Sequence, residues 1–265
     1  MDHRLIFALS FSIISLGILY LISGKGIKAA WVDLGWSMTI GALGLYFSIT
    51  GEGDLTRRVI FGSMILVWSL RLSSHLYRDR IKGSKVDTRY VQLRQDWGKD
   101  ASKNFLIFFQ VQAILAFLLA LPFFIYGNCE EPISKSFIYI SLAIFFLAVS
   151  GEWLADHQLH SFKKCSNNGE VCSSGLWKYS RHPNYFFEWL HWVAYIFMAL
   201  DTQYWWVSLL VASVMLFLIL FVTGIPPTEG QSLISRGAKY KQYQKATSEF
   251  IPWFPKKLIE EDKNV

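Results

Sequence analysis

The residues best suited to chemistry lie together at 175–188, which reads Gly-Leu-Trp-Lys-Tyr-Ser-Arg-His-Pro-Asn-Tyr-Phe-Phe-Glu. Pro183 is typical of the first position of a helix, where its missing N–H costs nothing. The N–H of Asn184 then points out of the helix start, and Arg181 and His182 flank it. A helix N-terminus beside an arginine favours an anion such as a phosphate. A basic anchor with an ordinary helix cap accounts for the same residues, so both interpretations stay open.

Ionisable side chains also fall inside segments that are otherwise apolar. They are Asp33, Arg71, His75, Glu152, Asp156, Glu188 and His191. Charges inside apolar helices are costly, and they commonly mark a ligand site or a proton path. Simple pairing between helices is the alternative explanation. Helical spacing places Glu152 and Asp156 on one face, and this acidic face offers acceptors for the hydroxyls of a ribose.

Helices that cross a membrane are needed to position these residues. Of the 265 residues, 52% are hydrophobic and 17% are charged, whereas soluble domains average about 25% charged residues. The apolar residues fall in blocks of about 20, the length that crosses a bilayer core of about 30 Å as a helix. We predict an all-α polytopic membrane bundle that forms a single domain over 1–265, and we exclude a soluble enzyme. The seven predicted spans are 5–22, 29–50, 59–77, 105–126, 137–155, 185–200 and 205–224, of which the sixth is short enough to be tilted or partly interfacial.

Lysine and arginine set the orientation of the spans. With 78–104 placed in the cytoplasm, 21 of the 26 basic residues are cytoplasmic and four are external. The N-terminus is then outside and the C-terminus inside, and a bacterial inner membrane is favoured over the endoplasmic reticulum. The ionisable residues within spans all lie in the cytoplasmic half, with none in the outer half. This distribution favours a polar cavity open to the cytoplasm and argues against a transport path.

Three cytoplasmic segments are expected to complete that cavity. The first, 78–104, is polar and aromatic enough to form a folded lid. The second, 156–184, is a cofactor loop. The third is a tail helix at 228–250, which opens with the capping-box pattern Thr228-Glu-Gly-Gln231. The histidines and cysteines match no common zinc spacing, so no metal is expected.

Four motifs together resemble a known family. They are Gly-Leu-Trp-x-Tyr-Ser-Arg-His-Pro-Asn-Tyr at 175–185, Trp68-x-x-Arg71-Leu-x-x-His75, Asp87-x-Arg89-Tyr90, and Tyr240-x-x-Tyr243-x-x-x-Thr247-x-x-Phe250-Ile-Pro252. In this order they resemble the bacterial branch of the steroid 5-alpha-reductase-like membrane proteins, and the resemblance covers about 31–255. The Arg-His-Pro-x-Tyr part alone is also similar to isoprenylcysteine-type membrane methyltransferases.

The resemblance implies a seven-helix membrane reductase in which NADPH enters from the cytoplasm and binds across the last three helices. The implied chemistry is hydride transfer to the β-carbon of a lipophilic, steroid-like enone drawn from the bilayer, with an acid polarising the carbonyl. The expected catalytic residues are Asp33, Trp68 and Arg71. The expected cofactor-binding residues are Arg78, Arg80, Arg89, Tyr90, Glu152, Asp156, Lys163, Tyr179, Arg181, His182, Asn184, Tyr185, Glu188, Trp192 and Tyr240. Membrane lipid is the other expected partner, and nucleic acid is not expected.

The second span departs from the resembled reductases, which carry a Gln-Glu pair where this chain has Asp33-Leu-Gly-Trp36. A buried, protonated Asp33 would supply the acid, whereas pairing with Arg71 would make it structural. Two other functions stay open. A methyltransferase that uses S-adenosylmethionine would bind the sulfonium with Glu152, Glu188 and aromatic rings, and a non-catalytic lipid-binding protein would keep the fold alone.

Overall fold

The computed structural model describes residues 2–82, 88–166 and 169–256, and within these ranges it contains helices and no strand. The α-helices are α1 (His3–Ile22), α2 (Trp31–Thr50), α3 (Leu55–Leu76), α4 (Thr88–Trp97), α5 (Ala101–Gly127), α6 (Lys135–Cys165), α7 (Pro183–Ala199), α8 (Trp205–Phe217) and α9 (Ile225–Ala246). A π-helical turn, Tyr77–Ile81, extends α3, and a second, Leu218–Val222, extends α8. Short 3₁₀ turns lie at Gly98–Asp100 and Gly175–Lys178.

Six helical segments are long and apolar enough to cross a membrane, which confirms a polytopic helical bundle. They are His3–Ile22, Trp31–Thr50, Leu55–Ile81, Arg89–Gly127, Lys135–Cys165 and Trp205–Ala246. The last segment is apolar only through α8 and its π-helical turn, because its five charged residues all lie in α9. The predicted sixth span corresponds to α7, which has 17 residues. At 1.5 Å per residue this helix is about 25 Å long, shorter than a bilayer core of about 30 Å.

The chain folds into two compact units. Unit 1 comprises Met1–Lys135 with Met198–Val207, and unit 2 comprises Ser136–Phe197 with Ser208–Val265. In unit 1, α2 packs closely on α3 because the chain places glycine where the helices meet. A Cβ on Gly44 would lie 2.8 Å from the side chain of Ile65. Small residues of this kind allow membrane helices to approach each other.

Serine hydroxyls join the same two helices of unit 1. Ser37 Oγ and Ser73 Oγ lie 2.8 Å apart, and Ser69 Oγ donates to the carbonyl of Ser37 at 2.9 Å. Hydrogen bonds between helices satisfy polar groups where water is absent. A separate apolar core, formed around Tyr20, Phe105 and Phe109, holds α1, α2, α4 and α5 together.

Unit 2 is built from α6, α7, α8 and α9. Ser141 Oγ on α6 donates to the carbonyl of Ala194 on α7 at 2.8 Å, and Trp189 Nε1 on α7 donates to the carbonyl of Ala212 on α8 at 3.1 Å. A smaller apolar core collects Ile219, Ile225 and Phe250, with α7 aromatic rings packed against it. These contacts hold α7, the helix that begins within the Arg-His-Pro-Asn-Tyr motif.

The prediction that a capping box opens the tail helix at Thr228 is wrong. Helix α9 begins at Ile225, with Gly224 as its N-cap and a proline in its first turn, a position where the missing N–H of proline is harmless. The Thr228 hydroxyl instead donates back to the carbonyl of Gly224 at 2.8 Å. The helix changes direction at Gly237, whose φ of 53° suits glycine, and it ends at Ala246 rather than near 250.

Candidate functional site

In unit 1, a polar cluster forms around Asp33 in the first turn of α2. The Asp33 carboxylate accepts hydrogen bonds from Arg80 on the π-helical turn and from Arg89 Nη2 at 3.3 Å. Its other oxygen accepts from the phenol of Tyr90 at 2.7 Å. The structure thus brings together one predicted catalytic residue and three predicted cofactor residues. The Asp87 of the same motif lies outside the described residues.

Two expectations for Asp33 need correction. Its side chain is 24% exposed, so it is not a buried acid. Its partners among the described residues are the two arginines and Tyr90, so the alternative pairing with Arg71 is also wrong. In all three contacts the carboxylate accepts a hydrogen bond. This is the geometry of an ionised carboxylate that holds two guanidinium groups and a phenol in position. The sequence could not show this, because Arg80 and Arg89 lie 47 and 56 residues away.

The other predicted residues of unit 1 lie on α3 and just beyond it. Trp68 is fully buried and meets the ring of Trp36 edge to face, with centroids 6.2 Å apart. Arg71 is half-buried on the same helix. Arg78 is exposed and donates to the carbonyl of Ser74 at 3.1 Å. Trp36 and Trp68 thus form an aromatic contact between α2 and α3.

In unit 2, the Gly-Leu-Trp motif docks the loop onto α6. The Leu176 amide donates to Gln158 Oε1 at 2.9 Å, and Trp177 Nε1 donates to the carbonyl of Ala155 at 3.0 Å. Gly175 has a φ of +60°, and a Cβ there would lie 2.6 Å from the side chain of Gln158. The positive φ therefore favours glycine at this position, and a larger residue would also have to displace the Gln158 side chain. The motif places the Arg-His-Pro residues at the start of α7.

Arg181 joins this loop to the C-terminal tail. Its Nε donates to Glu229 Oε1 at 2.6 Å, and Nη1 donates to the carbonyls of Gln244 and Thr247 at 3.1 and 2.9 Å. Nη2 lies 3.5 Å from Glu249 Oε1. Four of the five guanidinium N–H groups are thereby engaged within the protein. Of the two interpretations left open by the sequence, this geometry favours a structural anchor over a phosphate ligand.

Glu229 lies at the centre of this hydrogen-bond network, and the sequence analysis did not include it among the site residues. One of its carboxylate oxygens accepts from Arg181, from His182 Nε2 at 3.2 Å and from the Tyr240 hydroxyl at 3.3 Å. The other accepts from Gln244 Nε2 at 2.7 Å. Burial raises the pKa of Glu229, but the hydrogen bonds from His182 and Arg181 outweigh burial and lower it to about 2. The only sequence signal was its place in the capping pattern, which suggested a different role.

The two residues of the predicted acidic face, Glu152 and Asp156, lie on α6, and a third carboxylate, Glu188, lies on α7. Glu152, Asp156 and Glu188 are all buried in unit 2. Asn184 Nδ2 donates to Asp156 Oδ1 at 3.3 Å, and His191 Nδ1 donates to the carbonyl of Glu188 at 2.7 Å. The set combines carboxylate acceptors with an amide donor, as a ligand rich in hydroxyl and amide groups requires.

The remaining predicted cofactor residues of unit 2 divide into two groups. The first group, at least partly buried, consists of His182, Tyr185 and Trp192. The rings of His182 and Tyr185 stack with centroids 5.5 Å apart. The Tyr185 hydroxyl lies 3.0 Å from Thr228 Oγ1. Lys163 and Tyr179 are exposed. That the polar residues of both units face one cavity stays a prediction.

The expectation that the outer half of the bundle carries no buried charge is wrong. Arg57, predicted to lie in an external loop, is the third residue of α3 and its side chain is fully buried. It donates to the carbonyl of Met198 at 2.6 Å and pairs with Asp201 at 3.0 Å. Asp201 also accepts from the amide of Ser134 at 2.8 Å. This pair fastens the loop regions at the predicted external end of unit 1.

Comparison with known proteins places the chain in a family. The family model "Protein of unknown function (DUF1295)" matches residues 19–247. A Schizosaccharomyces pombe protein, "Uncharacterized protein C594.04c", is 28% identical over 204 residues, which is 65% of this chain and 58% of the yeast protein. The match thus spans less than two thirds of that relative. No solved structure matches the chain. Because the family model covers most of its length, the chain belongs to the DUF1295 family.

Proposed function

We propose that the chain is a membrane-embedded, NADPH-dependent reductase of a lipophilic enone or a related lipid double bond. The observation that carries the proposal is the buried polar set on α6 and α7. Glu152, Asp156 and Glu188 are buried in helices that are long and apolar or, for α7, rich in aromatic side chains. Ionisable groups are rarely retained in such helices unless a ligand or a reaction uses them.

The chemistry of this set suits a nucleotide. Asp156 provides acceptor oxygens and Asn184 provides an amide donor at 3.3 Å from one of them, a combination that can bind ribose hydroxyls or a carboxamide. When bound, NADPH supplies a hydride to the β-carbon of the enone, and a proton completes the reduction. The protein positions the reactants and excludes water.

Unit 1 supplies independent support. Arg80 and Arg89 both bind the carboxylate of Asp33, which brings two guanidinium groups to one place. Guanidinium groups suit phosphates because they donate in a fork that matches phosphate oxygens. We therefore assign Asp33 the role of holding Arg80, Arg89 and Tyr90 in position, in place of the proton-donor role that the sequence suggested.

The resemblance to steroid 5-alpha-reductase-like proteins agrees with this function, and it is part of the proposal. Those proteins share the Gly-Leu-Trp and Arg-His-Pro-Asn-Tyr residues that build the 175–185 loop of unit 2. Trp68, in the resembled third-span motif, is fully buried next to Trp36. Aromatic side chains such as these two suit contact with a lipophilic substrate, which enters the protein from the bilayer.

One observation favours a second function, an S-adenosylmethionine-dependent methyltransferase. Arg181 is engaged by carboxylates and carbonyls, which leaves less positive charge in unit 2 for phosphates. The buried carboxylates and the ring of Trp192, whose centroid lies 4.6 Å from that of His191, are groups that attract a sulfonium. This cofactor has no phosphate, so it would not need arginine side chains to bind one.

The identity of the bound nucleotide separates the two functions. The full chain is purified in a mild detergent and denatured, and the released small molecules are identified by mass spectrometry. NADPH or NADP⁺ at near-stoichiometric amounts is the expected result. Asp156→Asn should lower the amount retained, whereas Asp96→Asn, an exposed aspartate on α4, should not. Recovery of S-adenosylmethionine instead would establish the second function, and retention of neither would contradict both.

A further inference from the structure

A patch of exposed apolar and basic side chains covers one surface of unit 2. Ile251, Trp253 and Phe254 are 61%, 68% and 76% exposed. Exposed apolar side chains that adjoin one another mark interaction sites, because water does not stabilise them. Two neighbouring residues of the 175–185 loop, Lys178 and Tyr179, are exposed as well.

Hydrogen bonds hold these side chains outward. The Trp253 amide donates to the carbonyl of Tyr179 at 2.9 Å, and the Lys256 amide donates to the carbonyl of Ala246 at 2.8 Å. Ser248 Oγ donates to the carbonyl of Ile251 at 2.6 Å. Chain ends are usually poorly ordered unless they are tied down. This segment is tied down while its apolar side chains point away from the protein.

The rings of this surface contact each other. The rings of Tyr179 and Phe254 meet edge to face with centroids 6.2 Å apart, and those of Trp253 and Phe254 are also 6.2 Å apart. Lys178 Nζ lies 5.9 Å from the centroid of the Tyr179 ring. Trp and Tyr with nearby lysine is the composition of a membrane–water interface, where rings sit among headgroups and amines meet lipid phosphates.

Residues 251–256 lie next to the start of α7. Phe250, the residue before this segment, packs on Phe186 and Trp189 in the first turns of α7, with centroids 5.7 and 5.9 Å apart. The residues that follow are bonded to Tyr179, four positions before α7 begins. The predicted sixth span corresponds to α7, and its start is predicted to lie on the cytoplasmic side. This prediction places the segment near the level of the headgroups.

We propose that Lys178, Tyr179, Ile251, Trp253, Phe254 and Lys256, here named the aromatic–lysine patch, bind the headgroup region of an anionic phospholipid bilayer. The rings insert shallowly and the two lysines contact lipid phosphates. The patch thereby holds the C-terminal tail against the membrane, and through the tail it also holds the carbonyls of Gln244 and Thr247 that Arg181 binds. The proposal does not depend on the reaction that the protein catalyses.

The test measures the depth of a probe at residue 254 in the full chain. Cys165 is exposed, whereas Cys129 and Cys172 are buried, so a Cys165→Ser background makes an introduced thiol the reactive one. In that background Phe254→Cys is labelled with a fluorophore that responds to polarity. The protein is placed in nanodiscs of phosphatidylcholine, with or without phosphatidylglycerol, that carry nitroxide lipids labelled near the headgroup or at the chain end. Lys241→Cys, at an exposed position on α9, is the matched control.

The expected result is blue-shifted emission at 254, with several-fold stronger quenching by the headgroup nitroxide than at 241 and little quenching by the chain-end nitroxide. Phosphatidylglycerol should increase this quenching, and the double variant Lys178→Gln, Lys256→Gln should remove the increase. A probe at 254 that behaves like the probe at 241 would overturn the proposal. Blue-shifted emission without quenching by lipid nitroxides would also overturn it, because a second copy or another protein would then cover the patch.

Discussion

The phenol of Tyr90 donates a 2.7 Å hydrogen bond to Asp33 Oδ1, and Arg80 and Arg89 bind the other oxygen of the same carboxylate. Two separate segments after α3 are therefore joined to the first turn of α2 through one side chain. Because three donors bind this carboxylate, we expect its loss to lower the stability of the protein whether or not it takes part in a reaction. Its replacement is the most direct test of the role that we assign to it.

Asp33→Asn should lower the unfolding free energy by about 1.5–3 kcal/mol, the usual contribution of hydrogen bonds to charged groups. The measurement is the midpoint of thermal unfolding in detergent. Adding Arg71→Met should not restore stability, because Arg71 is not a partner of Asp33. Asp79→Asn, at an exposed aspartate of the π-helical turn, is the control and should be neutral. A stable Asp33→Asn protein that has lost only turnover would return Asp33 to the role of proton donor.

Asp201→Asn should destabilise the protein more strongly than Asp33→Asn. The Arg57 side chain is fully buried, and loss of its partner would leave a buried charge that carbonyl groups compensate only in part. Such a change typically costs about 3–5 kcal/mol. Arg58→Gln is the comparison, because Arg58 donates to the carbonyls of Ser48 and Ile49 at the exposed end of α2. Stability is measured by thermal unfolding in detergent. If Asp201→Asn and Arg58→Gln are equally stable, Arg57 and Asp201 do not form a buried ion pair.

Glu229 should make stability depend on pH on the acid side. Hydrogen bonds lower the pKa of Glu229 from its ordinary value of 4.5 to about 2. The resulting stabilisation is fully present above 4.5 and is lost as the pH falls toward 2. The stability difference between the wild type and Glu229→Gln should therefore be largest near neutral pH and shrink through this range. Glu249→Gln alters the more exposed partner of Arg181, so its stability should differ less from that of the wild type. If the stability difference between the wild type and Glu229→Gln stays constant with pH, the lowered pKa of Glu229 is contradicted.

Orientation in the membrane can be tested with thiol reagents, but Cys129 is a poor reporter. It is buried, and burial raises the pKa of its thiol, so it should react slowly from either side. Exposed Cys165 should react with an impermeant maleimide only after cells are permeabilised. Glu130→Cys, at an exposed external position, should react in intact cells. The reverse pattern would invert the predicted orientation, and with it the side from which a cofactor enters.

The fold class could be predicted from the sequence because it depends on the composition of continuous segments. Apolar blocks of about 20 residues become membrane helices whatever their neighbours are, since a helix satisfies its own backbone groups in lipid. The start of α7 could be predicted as well, because proline favours the first position of a helix. The helix begins at Pro183. Thr228 shows the limit of local rules, because the prolines before it start α9 three residues earlier.

Only the tertiary structure decided what the charged residues do. Sequence placed Arg57 in an external loop, yet it is buried against Asp201, which lies 144 residues later. The sequence suggested Arg181 as a phosphate ligand because it lies beside a helix start. In the structure its guanidinium binds groups of the C-terminal tail that lie 48 to 68 residues later in the chain. A long side chain binds whatever donor or acceptor the fold brings within about 3 Å of it. That partner follows from the packing of distant segments, which spacing along the chain does not encode.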